Sequence, residues 1–183
     1  MQLDEENKRW MRLAGISEVT GLPNRVMLSR VLLPGAFKQA LAQKAPIGCI
    51  FLSPDGLREI NGRFGRAKGD AVLKNFSNVL KKLLRKGERL CHLDSVNFAV
   101  VVPQMSVRQL QKRAESIHKD LTSRRFDLEG NALSFKINVG VASVEHPQGG
   151  SPKALQDGLL SRSIHALDVA KTQGNHIKVS PES

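Results

Sequence analysis

The sequence predicts a single α/β sandwich domain, a central mixed β-sheet flanked by helices, on three observations. Strand-length apolar runs alternate with helical 3–4 patterns along nearly the whole chain. The stretch Arg89 to Pro103, Arg-Leu-Cys-His-Leu-Asp-Ser-Val-Asn-Phe-Ala-Val-Val-Val-Pro, reads as two short strands joined by a tight turn at Asp94-Ser95. Its second arm, Phe98 to Val102, is a near-continuous apolar run, the pattern of a strand buried on both faces. No internal boundary or repeat divides the 183 residues, which fit one domain plus a short leader and suffice to bury a real core.

Residues 4–13 are polar and helix-compatible, with Trp10, Met11 and Leu13 as the apolar positions, so 1–13 is taken as a linker or helical leader and 14–183 as the domain. Gly21 and Pro23 mark a turn, and Asn24 suits the N-cap of a helix over about 25–43. Ile47 to Leu52 has strand length and ends at Ser53-Pro54-Asp55-Gly56. Leu57 to Phe64 reads as a short helix, Gly65 to Gly69 as a loop, and Asp70 to Leu84 as a second helix with Val72, Phe76, Val79, Leu80 and Leu83 on its apolar stripe. After the hairpin, Val107, Leu110, Ala114, Ile117 and Leu121 mark an amphipathic helix. Leu133, Phe135, Ile137, Val139 and Val141 alternate with smaller or polar residues, which predicts a half-buried strand. A last helix spans about 153–173, Gly174 ends it, and Ile177 to Val179 forms an edge strand.

Composition narrows the function. Hydrophobic residues make up 40% and charged residues 25%, as in ordinary globular proteins. No apolar run approaches the roughly 20 residues that span a bilayer. Met1 to Trp10 is charged and lacks a signal-peptide apolar region, so a cytoplasmic chain without membrane insertion is expected. Cys49 and Cys91 lie in apolar strand-like runs and read as reduced core residues, and the histidines show no metal-ligand spacing with them. The net charge of +11 favours anionic partners, but aromatics are 4% and Tyr is absent, so stacking platforms for bases are scarce. A solvated basic surface explains the charge as well.

The hairpin resembles the signature hairpin of GGDEF domains, the diguanylate cyclase family, whose turn reads Gly-Gly-Asp/Glu-Glu-Phe. Here the five positions are Asp94-Ser95-Val96-Asn97-Phe98, so only the Phe matches. The segment Ser17 to Arg25 is similar to that family's entry motif, Asp-x-Leu-Thr-Gly-Leu-Pro-Asn-Arg. Thr20 to Arg25 is identical to it, and Ser17 takes the place of the leading Asp. The resemblance covers roughly 14–180 and implies a nucleotidyl-cyclase-like palm that makes cyclic di-GMP from two GTP molecules held on an antiparallel dimer.

The resemblance assigns roles that can be checked position by position. The family's two Mg2+ ions need an Asp at the end of the first strand and an acidic residue in the hairpin turn. Ser53 and Val96 stand there, with the Pro54 carbonyl between strand and turn still available. Mg2+ demands hard oxygen ligands in tight geometry, so the ion is expected to bind weakly or not at all, and no cofactor is expected. Asp55 matches a second Asp of that segment, or simply belongs to a turn or helix cap. Asn61 and Asp70 match the guanine-reading Asn and Asp, and could instead close one helix and cap the next. Lys171 matches a phosphate-holding Lys, while Asn175 replaces the Arg that accompanies it. Arg85 and Glu88 stand at the spacing of the family's product-binding Arg-x-x-Asp motif, a remnant of an inhibitory site.

These positions imply a degenerate GGDEF-type regulatory domain of cyclic-di-GMP signalling that is catalytically inactive. It would act by binding GTP or cyclic di-GMP, or through another signalling domain or protein, and a homodimer is compatible with this. Two alternatives stay open: a weakly active cyclase or another nucleotide-hydrolysing enzyme, and a basic nucleic-acid-binding module on the same scaffold, which is less favoured.

Overall fold

The computed structural model describes residues 5–174 and 176–181. Residues 1–4 of the leader, Asn175 and the last two residues of the expected domain lie outside that description.

The chain enters through helix α1 (Glu5–Leu13) and a loop closed by the Ile16–Pro23 bridge. Asn24 then caps the first long helix, its side-chain oxygen accepting from the Val26 and Met27 N–H groups. That helix covers the predicted 25–43 in three parts: α2 (Arg25–Met27), a π-helical turn (Leu28–Leu32) and α3 (Leu33–Gln43). Pro34 has no N–H to give to Arg30, and the helix widens just before it, with Leu33 N–H bonding Leu28 C=O.

Strand β1 (Ile47–Pro54) follows, then α4 (Leu57–Phe64) and α5 (Arg66–Leu83). The helix expected from Asp70 therefore begins four residues earlier. The turn between α4 and α5 is the single Gly65, at φ 88°, and Gly69, the other glycine that suggested a loop, sits in the first turn of α5. Strands β2 (Arg89–Asp94) and β3 (Asn97–Pro103) form the hairpin. Its turn is Ser95-Val96 rather than Asp94-Ser95, because Asp94 pairs with Asn97 and Ser95 takes the left-handed conformation at φ 39°. Helix α6 (Val107–Thr122) starts with a capping box between Ser106 and Gln109.

The expected strand over 133–142 is two strands. Leu133 ends β5 (Asn131–Leu133), which pairs only with β4 (Phe126–Leu128), and β6 (Ile137–Val144) enters the main sheet. Phe135 is buried in the link between them, so the burial pattern runs on while the hydrogen-bond partners change. β6 is also buried on both faces, not one. Helix α7 (Pro152–Gln173) covers the second face so closely that a Cβ on Gly140 would meet the Leu167 nitrogen at 2.3 Å. β7 (Ile177–Val179) closes the sheet.

The sheet order is β2-β3-β1-β6-β7, antiparallel throughout except for β6 and β7, which makes it mixed. One face carries Ile50, Leu52, Phe98 and Val139 against α4, α5 and α6. The other carries Cys49, Phe51, Cys91 and Ala99 against α3 and α7. Both cysteines are free and buried, and burial pushes both thiols up, that of Cys91 to about 12, so they are inert core residues. No helix among the described residues is long and apolar enough to cross a membrane.

Candidate functional site

The hairpin turn, the loop before α2 and the start of α5 converge on a cleft of about 650 Å³. Asn61 and Asp70, chosen from sequence, both line it. Helix α4 presents Asn61 across the first turn of α5, where its amide lies directly over Gly69. A Cβ at Gly69 would sit 1.6 Å from Asn61 Oδ1, so this glycine is what lets the amide take its place. Asp70 is the next residue, half-buried on the cleft wall. It does not cap α5, since it lies in that helix's second turn. Neither side chain makes a hydrogen bond among the described residues, so an amide and a carboxylate face the cleft with their hydrogen-bonding capacity unused. That pair suits the edge of guanine: the carboxylate accepts from the ring N1–H and the adjacent exocyclic amino group, and the amide complements it.

The floor is organised by His92, which sequence reasoning passed over. It is 5% exposed, stacks on Phe98 with ring centroids 4.8 Å apart, and is hydrogen-bonded on both nitrogens. Nε2 lies 2.9 Å from the Ser95 carbonyl, which can only accept, so Nε2 carries the proton and Nδ1 accepts from the Ser17 hydroxyl at 2.6 Å. Ser17 Oγ in turn accepts the Thr20 N–H at 3.2 Å. Burial holds the His92 pKa below its ordinary value, against the opposing pull of the Ser95 carbonyl, Asp94 and Asp70. A neutral imidazole thus ties the entry loop to the hairpin turn. The signal available in the sequence was a lone histidine at an inward position of β2.

The turn is held from outside by a chain of polar contacts. Arg25 Nη2 donates to Asp94 Oδ2 at 3.0 Å, Asn97 Nδ2 donates to Asp94 Oδ1 at 2.6 Å, and Lys171 Nζ donates to Asn97 Oδ1 at 2.7 Å. Lys171 therefore does not line the cleft with Asn61 and Asp70. It comes from α7, on the other face of the sheet, and its ammonium is engaged by Asn97.

The two positions from which the resemblance expects metal ligands offer little to a cation. Ser53 is 1% exposed and pairs in register with Asn138, whose buried amide has no hydrogen-bond partner among the described residues. Val96 is aliphatic. Asp55 is exposed and lines a separate groove with Glu59 and Arg63, and Gly56, not Asp55, occupies the N-cap position of α4. No group of three or more His, Cys, Asp or Glu among the described residues is placed to hold a metal ion. This donor set does not fit Mg2+.

Arg85 and Glu88 do not face solvent together. Glu88 is buried and accepts from Arg113 Nε and Nη2 at 2.8 Å each, and from the Arg85 N–H. Burial alone would raise its pKa, but these bonds hold the carboxyl below the usual range. Only the Arg85 side chain is left exposed.

The model of the diguanylate cyclase GGDEF domain family matches residues 14–176. The diguanylate cyclase DgcP of Pseudomonas aeruginosa is 28% identical over 160 residues, 85% of this chain and 22% of that protein. The diguanylate cyclase TpbB of the same species is 27% identical over 173 residues, 94% of this chain and 38% of that protein. This chain thus spans well under half the length of these relatives. The crystal structure of the GGDEF domain of FimX from Pseudomonas aeruginosa superposes with a TM-score of 0.78 at 19% identity, covering 91% of this chain and 99% of that one.

Proposed function

The chain belongs to the GGDEF, diguanylate cyclase, family, and from that premise we propose that it is a non-cyclising guanine-nucleotide-binding domain of cyclic-di-GMP signalling. It acts as a regulatory module in the cytoplasm, passing the state of its cleft to another signalling domain or protein. One observation carries this reading. The base-reading pair Asn61 and Asp70 is assembled with free hydrogen-bonding capacity in one cleft, while the positions that would bind metal are a buried Ser53 and an aliphatic Val96.

The chemistry follows from that split. Phosphoryl transfer needs charge neutralisation at the phosphates and activation of the attacking hydroxyl, both of which metal ions supply in this family. Without carboxylates to hold them, the residues present can bind and orient a base but cannot drive the displacement. Selectivity thus rests on directed hydrogen bonds in the cleft, and affinity is modest.

Calorimetry with GTP and ATP at fixed ionic strength, with and without Mg2+, tests this. The expected result is measurable GTP binding, much weaker ATP binding and little effect of Mg2+. Equal affinities for the two, lost together as salt rises, would mean that the basic surface alone holds nucleotide.

A further inference from the structure

The charges around the cleft bear on how many phosphates its ligand carries. Three arginines line it, Arg12, Arg25 and Arg66, and three carboxylates, Glu18, Asp70 and Asp94. Two of the arginines are already committed: Arg12 pairs with Glu18 at 3.2 Å and Arg25 with Asp94 at 3.0 Å. Arg66 alone makes no ion pair among the described residues. Lys171, the other cation near the turn, is held by Asn97 on the far side of the hairpin. The cleft is therefore close to neutral although the protein as a whole carries +11.

Asp94 sits at the lip, with its side chain about half exposed, 49%. It is fixed there by Arg25 and Asn97 and cannot swing away without giving up both bonds. A phosphate tail leaving the base pocket along the hairpin turn meets this carboxylate, and no metal ligands stand beside it to recruit a compensating ion. Each added phosphate brings more negative charge into a cleft with one uncommitted cation.

We infer that Asp94 is a specificity-determining residue that makes the cleft favour guanosine or guanosine monophosphate over the triphosphate. This rests on the reading of Asn61 and Asp70 as the base-recognising pair. The resting ligand of the domain is then drawn from the dephosphorylated end of the guanine-nucleotide pool, and the cleft responds to that end more strongly than to GTP.

The test is calorimetry of the intact chain with guanosine, guanosine monophosphate, GTP and adenosine monophosphate, at constant ionic strength without divalent metal, repeated on Asp94→Asn. The expected result is that guanosine monophosphate binds at least as tightly as GTP. In Asp94→Asn, which removes the carboxylate and frees Arg25, the ratio of affinities should move toward GTP by about fivefold or more. GTP binding more tightly than the monophosphate to the unaltered chain overturns the inference and leaves guanine recognition standing. So does a ratio that Asp94→Asn leaves unchanged. Equal binding of guanosine and adenosine monophosphates, or no binding of any guanine ligand, overturns the base-reading assignment as well.

Discussion

At the scale of single residues, the cleft depends on contacts that a few atoms decide. Gly69 is required by Asn61, whose amide occupies the space a methyl group would need. Gly69→Ala is therefore expected to displace Asn61 and reduce the preference for GTP over ATP as Asn61→Ala does, with little loss of stability because Ala suits a helix better than Gly. Asn61→Ala and Asp70→Ala should each lose on the order of 1–3 kcal/mol of guanine binding, and titrations of each variant against GTP and ATP read this directly. An unchanged GTP-to-ATP ratio in Gly69→Ala would show that the amide finds its place without the glycine.

His92 gives a pH dependence whose sign is fixed. Its pKa in the folded protein lies below the ordinary 6.5, because burial disfavours the imidazolium. Between 6.5 and that lower value the unfolded chain holds a proton that the folded chain refuses. This contribution to stability is complete above pH 6.5 and is lost as pH falls through the folded pKa. His92→Gln should show a smaller loss of stability than the unaltered protein between about pH 7.5 and about pH 5.5 in urea unfolding. Parallel curves for the two proteins would place the acid sensitivity elsewhere.

At the scale of elements, the clearest strut is the bidentate pair of Arg113 on α6 and Glu88 before β2. Arg113 Nη2 also donates to the Leu83 carbonyl at the end of α5 at 2.6 Å, so one guanidinium joins α6 to both ends of the α5–β2 connection. Arg113→Met leaves a carboxylate buried without its partner and should cost roughly 3–5 kcal/mol in denaturant unfolding. Pairing it with Glu88→Leu should recover most of that loss, since the pair as a whole repays little more than its own desolvation. In β6, Val139→Asp would bury an unpaired carboxylate against the aromatic layer around Phe76 and Phe98 and should prevent stable folding, read as loss of a cooperative thermal transition.

At the scale of the whole molecule, the expectation is that purified protein forms no cyclic di-GMP from GTP with Mg2+ or Mn2+. Product that disappears on chelation would refute this. Ser53→Asp with Val96→Glu should not restore turnover either. The turn still carries Asp94 and Ser95 in place of glycines, and Asp94 remains locked to Arg25 and Asn97.

The sequence by itself determined most of the architecture. Apolar periodicity located the long helices, the buried first strand and hairpin, and the motif from Thr20 to Arg25 pointed to the family, because these signals are local and carried by side-chain type. It also brought forward Asn61 and Asp70. The tertiary structure decided what depends on neighbours distant in the chain. α7 on the second face of β6 turned a half-buried strand into a fully buried one. The backbone pairing of Asp94 with Asn97 moved the hairpin turn by one residue, and the close approach of Asn61 placed a glycine within a helix where composition suggested a loop. Lys171, Glu88 and His92 were visible as residues, but their partners Asn97, Arg113 and Ser17 lie 74, 25 and 75 positions away. Charge and hydrogen bonding at such a distance follow from folding, which is why the near-neutral cleft within a strongly basic protein could be read only from the folded chain.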